Sequence, residues 1–462
     1  MTIVEEMAEF VVSSTFEDLS SQAVEQLKIR ILDALGCALG ALTAQTTRLV
    51  REVATDLGGE KRCSLIGGGK SSPDRAALFN GALVRYLDFN DSFLSKGETC
   101  HPSDNVAPVL AAAEYADCDG KELLLSLAIA YQVQCRLSEV APVRVHGFDH
   151  TTQGAYAVAA AASKAIRLDA RRTANAIAIS GTALNALRVT RTGKLSNWKG
   201  LAYPFTSFAA MNTVFLAKEG ITGPLEVFEG NKGFNDAFSG GTLAIDWGRE
   251  ELEIVRHTIL KKYNSEVHSQ SAVECMLQMK LDSSLEPKDV ESVEVKIFDV
   301  AYKIIGGGEE GEKLTVQTKE QADHSLPYIL SVALCDGEVM PAQYSHERIN
   351  ATDVQELMRK IAILPDPEFS LKFPETMPCS ITIRTKDGRV LTKQVEDYEG
   401  FITHPMDWKT VTRKFERLAS GTLDSHTLRE IEDKVHTVDK RKISELTTLL
   451  QQEVSIVTPG VE

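Results

Sequence analysis

AVAAAASKA, residues 157–165, is the stretch that decides the fold. Alanine loses no side-chain entropy in a helix, and side chains this small gain stability only where other helices approach closely. The stretch reads as the core of a central helix, Thr151 to Ile166, with others around it. Asn105 to Ala116, Lys121 to Val140 and Ala170 to Leu187, all rich in Ala and Leu, supply those neighbours. Upstream, Val24, Leu27, Ile31, Ala34 and Leu35 recur at helical spacing between Ser20 and about Ala44, which marks an amphipathic helix with a broad buried face. Strand signals come only later. Val293, Val295 and Ile297 alternate with polar residues, and Ser380 to Thr385 faces Val390 to Val395 across Asp387-Gly388 as a hairpin. After Pro405 a stripe of Trp408, Val411, Phe415 and Leu418 predicts a helix, followed by a charged helix from Ser425 to about Gln452. This order predicts a mainly α protein. An all-helical large domain, residues 1–260 and 401–462, is interrupted by a smaller α+β domain at 261–400.

A chain of 462 residues exceeds what one core usually supports, in keeping with two or three domains. Its 43% hydrophobic and 25% charged residues exclude a disordered, collagen-like or disulfide-scaffold protein. Lys and Arg total 50 against 65 Asp and Glu, a net charge of −15. So acidic a surface repels nucleic-acid phosphates and anionic lipid, and neither nucleic acid nor a membrane is expected as a partner. The eight cysteines form no CxxC and no close cluster. That spacing fits buried thiols in a reducing compartment and fails the ligand patterns of structural zinc and iron–sulfur clusters. Asp33, Glu114 and Gln132 interrupt the longest apolar stretches below membrane-spanning length. The opening MTIVEEMAEF carries acids where a targeting peptide would carry Lys or Arg, so a cytoplasmic location is expected.

Two glycine-rich stretches fail as nucleotide sites. Gly67-Gly68-Gly69-Lys70-Ser71 resembles the end of a phosphate-binding loop, but Ser64 stands where that motif needs its first glycine. Gly306, Gly308 and Gly311 fit GxGxxG after a strand-like run. Glu309, Glu310 and Glu312 would meet a pyrophosphate with negative charge, so a solvated loop is expected there. GxSxG, HExxH and EF-hand patterns do not occur.

Residues 87–105, LDFNDSFLSKGETCHPSDN, gather Asp88, Asp91, Ser92, Glu98, His101 and Asp104 in a loop-like stretch. An Asp and a His in one loop can divide proton acceptance from proton donation, since modest environmental shifts move either pKa toward neutrality. Chemistry is therefore assigned to Asp88 and His101, and helix capping to Ser103 and Asp104. Residues 185–203, NALRVTRTGKLSNWKGLAY, hold Arg188, Arg191, Lys194 and Lys199 without one acid. Against the acidic background these cations can seat a polycarboxylate, or can pair with surface acids as an ordinary exposed loop. A third cluster, Lys261, Lys262 and His268 in KKYNSEVHSQSAVE, opens the inserted domain. His150, in HGFDHTTQGAY, precedes the alanine-rich helix, either as an ordinary N-terminal residue or as part of a site. His324 and Tyr328, in ADHSLPYIL, open another apolar helix with Pro327 in its first turn.

LDFND, HPSDN, GFDH, NWKG, KYNSEVHSQSAVE, ADHSLPY and HPMDW, in that order, resemble the successive signature blocks of the MmgE/PrpD family. That family includes 2-methylcitrate dehydratase, cis-aconitate decarboxylase and iminodisuccinate epimerase. The resemblance implies a mostly helical large domain, an inserted α+β lid domain, a homodimer, and chemistry without metal or organic cofactor. Position by position it implies catalytic roles for Asp88, Ser92, His101, His150 and Lys199. It adds Lys262, His268 and Tyr328 as substrate-binding residues beside the cations Arg188 and Arg191. Ser92 stands where the family commonly has Thr, which keeps the hydroxyl, and HPSDN is more similar to the dehydratase branch than to the decarboxylase.

All three activities make or break a bond beside a carboxylate, and the carbanion or enediolate character that develops needs electrostatic stabilisation. The expected function is thus a cofactor-independent hydro-lyase of a small tri- or dicarboxylate, with 2-methylcitrate as substrate and citrate or cis-aconitate as further ones. Asp88 and His101 would exchange protons with the substrate while Lys199, helped by Arg188, Arg191 or Lys262, holds its carboxylates. Decarboxylation of cis-aconitate uses nearly the same parts. Epimerisation and simple carboxylate binding are the remaining alternatives.

Overall fold

The alanine-rich helix Thr151–Ala165 is buried at every position except Lys164. In the computed structural model, which describes residues 1–454 other than 240 and 242, it packs between helices Gly120–Val140 and Ala170–Ala183. Side-chain size controls this packing. A Cβ on Gly154 would lie 2.4 Å from the Tyr203 ring, and one on Gly181 would lie 2.2 Å from the Tyr156 ring, so both rings occupy space that only glycine leaves. Asp119 and Glu122 form a reciprocal capping box at the start of helix Gly120–Val140, and Asp169 caps Ala170–Ala183 through the Arg172 amide at 2.8 Å.

These helices belong to the first of two compact units, formed by Met1–Thr190, Gly200–Thr258 and the residues from Asp407 onward. Within it helix Ser21–Gly40 packs on helix Trp408–Ala419. Lys414 lies between them, its ammonium 2.7 Å from Asp33 and 2.7 Å from the Phe89 carbonyl, with both ionic side chains buried. Removing one partner of a buried pair leaves an uncompensated charge. Lys414→Met is therefore expected to lower the unfolding free energy by ~3–5 kcal/mol, measurable by urea denaturation, and an unchanged midpoint would contradict it.

The second unit comprises Arg191–Lys199 and Ile259–Met406. Its sheet has four strands in the order Ile361–Pro365, Val290–Ile297, Cys379–Thr385, Val390–Val395. The first pair is parallel, with Val293 opposite Ile361, and the others are antiparallel, with Val295 opposite Ile381. Helix Gln270–Ser283 covers one face, against the two strands of the hairpin. Alternation along Val290–Ile297 puts Val293, Val295 and Ile297 inside, as the period-2 pattern requires. The chain is mainly α; among the described residues its sheet lies in this unit apart from two short ladders.

Several expectations need correction. Residues 191–199 were assigned to the helical part, but they cluster with 259–406, because Lys199 bonds to Asp323 and Asn197 to Glu320. The charged helix expected from Ser425 to about Gln452 is broken into Ser425–His436, a 3-10 turn Val438–Lys440, and Ile443–Leu450. The break has a cause: the Arg441 carbonyl accepts from the Gly120 amide at 2.9 Å, and a Cβ at Gly120 would lie 1.8 Å from the Val438 carbonyl oxygen. A continuous helix would use that carbonyl for its own ladder. Strands also begin earlier than expected, as Cys63–Ser64 with Lys70–Ser71 and as Phe93–Ser95 with Glu98–Cys100. The run before Gly306 is a helix, Asp299–Ile305, and residues 306–311 form the partly solvated turn that their acidity predicts. All eight cysteines are free thiols, seven of them buried. Among the described residues no helix is long and apolar enough to cross a membrane.

Candidate active site

In the first unit the site grows from the end of helix Pro73–Tyr86. Asp88 takes a left-handed backbone, φ 54°, a conformation that costs a residue with a Cβ about 1–2 kcal/mol. Arg85 offsets that cost: its guanidinium binds the Asp88 carboxylate and reaches Asp104 at 3.6 Å, and its carbonyl accepts the Asp88 amide at 3.0 Å. The stretch that follows is no surface loop. It is a hairpin, largely buried and exposed only at its Lys96-Gly97 tip, and a 3-10 turn, Pro102–Asn105, with Asp91, Ser92 and Asn105 wholly excluded from solvent. Nor do Ser103 and Asp104 cap helix Val106–Tyr115. Asn90 Nδ2 donates to both, at 3.0 and 2.8 Å, and the Ser103 amide donates to Asp91 at 2.9 Å. The polar side chains are consumed in fixing the hairpin to the turn.

His101 is held at that junction. Its Nδ1 lies 2.8 Å from the Asp91 carbonyl and 3.0 Å from Ser92 Oγ. A carbonyl only accepts, so Nδ1 carries the proton; in the neutral ring Nε2 is then an acceptor, and in the imidazolium a donor. The His101 ring meets His150 edge-on, centroids 5.4 Å apart, and His150 in turn stacks on Tyr203 at 6.2 Å. Asp149 lies 3.7 Å from His150 Nε2 and 3.8 Å from Arg188. Tyr131 donates to Asp91 at 2.7 Å. Burial pushes the Asp91 carboxyl above the usual carboxylate range, against the bonds from Ser103 and Tyr131 and the charge of Arg30. Glu98, likewise raised by burial and opposed by Arg144 and Arg188, accepts the amides of Val143 and Arg144 at 3.1 and 3.0 Å.

The second unit holds a buried charged cluster of its own. Asp323, wholly buried, accepts from Lys199 Nζ at 2.8 Å, Lys319 Nζ at 2.6 Å and His324 Nδ1 at 2.7 Å. Burial alone would raise its carboxyl, but the charges of Lys199, Lys319 and His324 hold it far below the carboxylate range. Arg191 Nη1 donates to the Lys199 carbonyl at 2.8 Å. The Glu266 amide donates to the Asp323 carbonyl at 3.0 Å, and its carboxylate accepts His268 Nδ1 at 2.8 Å. Burial raises the Glu266 carboxyl; His268, His324 and Lys261 more than reverse this and bring it down to about 2. Lys261 is itself fully buried. Three lysines and two histidines thus gather around Asp323 and Glu266 in a dry setting, where charge interactions are strong.

Comparison with known proteins resolves what this arrangement belongs to. The MmgE/PrpD N-terminal domain matches residues 5–245, and the MmgE/PrpD C-terminal domain matches residues 263–440. The chain belongs to the MmgE/PrpD family. It is 27% identical over 417 residues to a 2-methylcitrate dehydratase of Salmonella typhimurium, covering 83% of each chain. It is 26% identical over 431 residues to a mitochondrial 2-methylcitrate dehydratase of Yarrowia lipolytica, covering 86% of this chain and 79% of the relative. A cis-aconitate decarboxylase of Mus musculus is 24% identical over 462 residues, covering 94% and 90%. Dehydratases and decarboxylases are both lyases, and this member of the MmgE/PrpD family is a lyase.

The first unit brings Ser92, His101 and His150 together, keeps Asp88 on Arg85, and places Arg188 on Asp149 beside His150. In the second, Lys199 lies in the buried cluster, Arg191 fixes its backbone, and His268 joins through Glu266. Two residues expected to bind substrate have their polar atoms engaged elsewhere. Lys262 bonds Glu274 at 2.9 Å and Glu399 at 3.2 Å, while Tyr328, buried in helix Leu326–Asp336, donates its hydroxyl to the Gln343 carbonyl. Lys261, not Lys262, is the buried lysine of the pair. Sequence reasoning missed Arg85, Glu266, Lys319 and Asp323. A signal for the last two existed: Lys319 precedes Asp323 by four residues, ion-pair spacing on one helical turn.

Proposed function

We propose that the chain is a hydro-lyase of a small tricarboxylate, dehydrating 2-methylcitrate to 2-methylaconitate and water, with citrate as a further substrate. The observation that carries this is the buried group of Lys199, Lys261, Lys319, His268 and His324 around Asp323 and Glu266, an electrostatic seat for a multiply charged anion. Its positive charge would hold the substrate carboxylates and spread the charge that develops when the proton beside a carboxylate is removed. His101, with Nδ1 fixed on the Asp91 carbonyl, would exchange that proton, or the one given to the departing hydroxyl, through Nε2. Asp88 would take the other transfer. The names of the relatives in Salmonella typhimurium and Yarrowia lipolytica support the dehydration, and the HPSDN block at 101–105 supports it further. The reaction as proposed calls on no metal or organic cofactor. A homodimer and a cytoplasmic location belong to the same proposal and rest on the family resemblance and the sequence.

The test is incubation of the purified chain with 2-methylcitrate, citrate and cis-aconitate separately, following ultraviolet absorbance of an unsaturated product and released carbon dioxide. Growth of absorbance from 2-methylcitrate without gas is the expected result. Gas from cis-aconitate, with no reaction of 2-methylcitrate, would overturn dehydration in favour of decarboxylation.

A further inference from the structure

We infer that Asp323 is the positioning residue for Lys199: one buried carboxylate, shared among three nitrogen groups, fixes where the Lys199 ammonium points and keeps it charged. Lysine carries its charge on a flexible four-carbon stem, so an undirected ammonium would sample many positions. Here Asp323 Oδ1 accepts from both Lys199 and His324, whose nitrogens lie 3.0 Å apart, while Oδ2 accepts from Lys319. The carboxylate is anchored in turn. Its backbone carbonyl accepts the Glu266 amide, and its own amide donates to the Lys319 carbonyl at 3.0 Å. The charged groups of this unit that face the assembly include Lys319 on its short helix, His324 beside it, Glu266 with Lys261 and His268 behind, and Lys313, whose ammonium interacts with both Glu266 and Asp323. The inference rests on the proposed function only in giving Lys199 a substrate carboxylate to receive; the arrangement itself can be tested without substrate.

Asp323→Asn removes the anion and leaves Lys199, Lys319 and His324 facing one another across a neutral amide. Like charges disfavour the charged form, so the Lys199 ammonium should lose its proton about one pH unit lower, on the order of a ten-fold change in the charged-to-neutral ratio. Lys319→Met should act in the opposite direction, because the Asp323 charge is then shared with fewer cations. The direct readout is the pH titration of the Lys199 side-chain carbon resonance in lysine-labelled, full-length protein, assigned by its loss in Lys199→Arg. A downward shift in Asp323→Asn and an upward one in Lys319→Met, each matched by the alkaline limb of kcat/KM, is the expected result. If Asp323→Asn does not fold, Asp323→Glu, which keeps the anion but displaces it by one methylene, takes its place, and an unmoved Lys199 titration there overturns the inference equally. A Lys199 titration that stays in place in the folded variants would overturn the inference. A wild-type protein inert toward every tricarboxylate would instead overturn the proposed function, while the titration would still report on Asp323.

Discussion

Replacing His101 with alanine should lower kcat/KM for the preferred tricarboxylate by ~10²–10⁴-fold, the range contributed by one placed proton-transfer group, or roughly 3–5 kcal/mol of transition-state stabilisation. The loss should fall on kcat, with KM changed by no more than about three-fold, because a proton moved only in the transition state contributes little to ground-state binding. The fold should survive. The backbone around residue 101 is held by bonds that do not involve its ring: the Asp104 amide on the His101 carbonyl at 3.0 Å and the Ser103 amide on Asp91. His101→Asn sharpens the test, since it can still donate to the Asp91 carbonyl but cannot shuttle a proton at neutral pH. Either variant, folded by circular dichroism and retaining near-full activity, would refute the role.

Lys199→Met is expected to have the other large effect, and of a different kind. Truncating a buried, hydrogen-bonded charge at a binding site typically costs ~2–5 kcal/mol, or roughly 30- to 5,000-fold in kcat/KM. Because the ammonium is proposed to meet a carboxylate already present in the substrate, the loss should appear in KM as well as in kcat. Stability should fall less than it does for Lys414→Met. Asp323 keeps Lys319 and His324 when Lys199 is gone. A Lys199→Met protein with unchanged KM would show that substrate carboxylates are received elsewhere.

Much of the fold was legible because its signals are local. The small residues of Thr151–Ala165, the alternation of Val290–Ile297 and the stripe of Val411, Phe415 and Leu418 each state their burial within one element. What escaped was short or non-local. The ladders Cys63–Ser64 with Lys70–Ser71 and Phe93–Ser95 with Glu98–Cys100 are two and three residues long, too brief for a period to register. The break before Lys442 depends on Gly120, far away in sequence. The site divides the same way. Asp88, Ser92 and His101 share one stretch and could be read together, whereas Lys199 and Asp323 are 124 residues apart and their pairing left no mark on either segment. The choice between Lys261 and Lys262 was equally hidden. Glu274, twelve residues on, takes the Lys262 ammonium, and Gln270 accepts the Lys262 amide at 2.9 Å.

The proposed roles, cations that hold substrate carboxylates and a histidine that transfers a proton, are tested most directly by calorimetric titration with tricarballylate, a tricarboxylate with no hydroxyl to eliminate. Wild-type protein and His101→Ala should bind it with nearly equal affinity, while Lys199→Met should bind it at least about thirty-fold more weakly, the lower end of the cost of losing a buried charge. Equal binding by all three proteins would contradict the account.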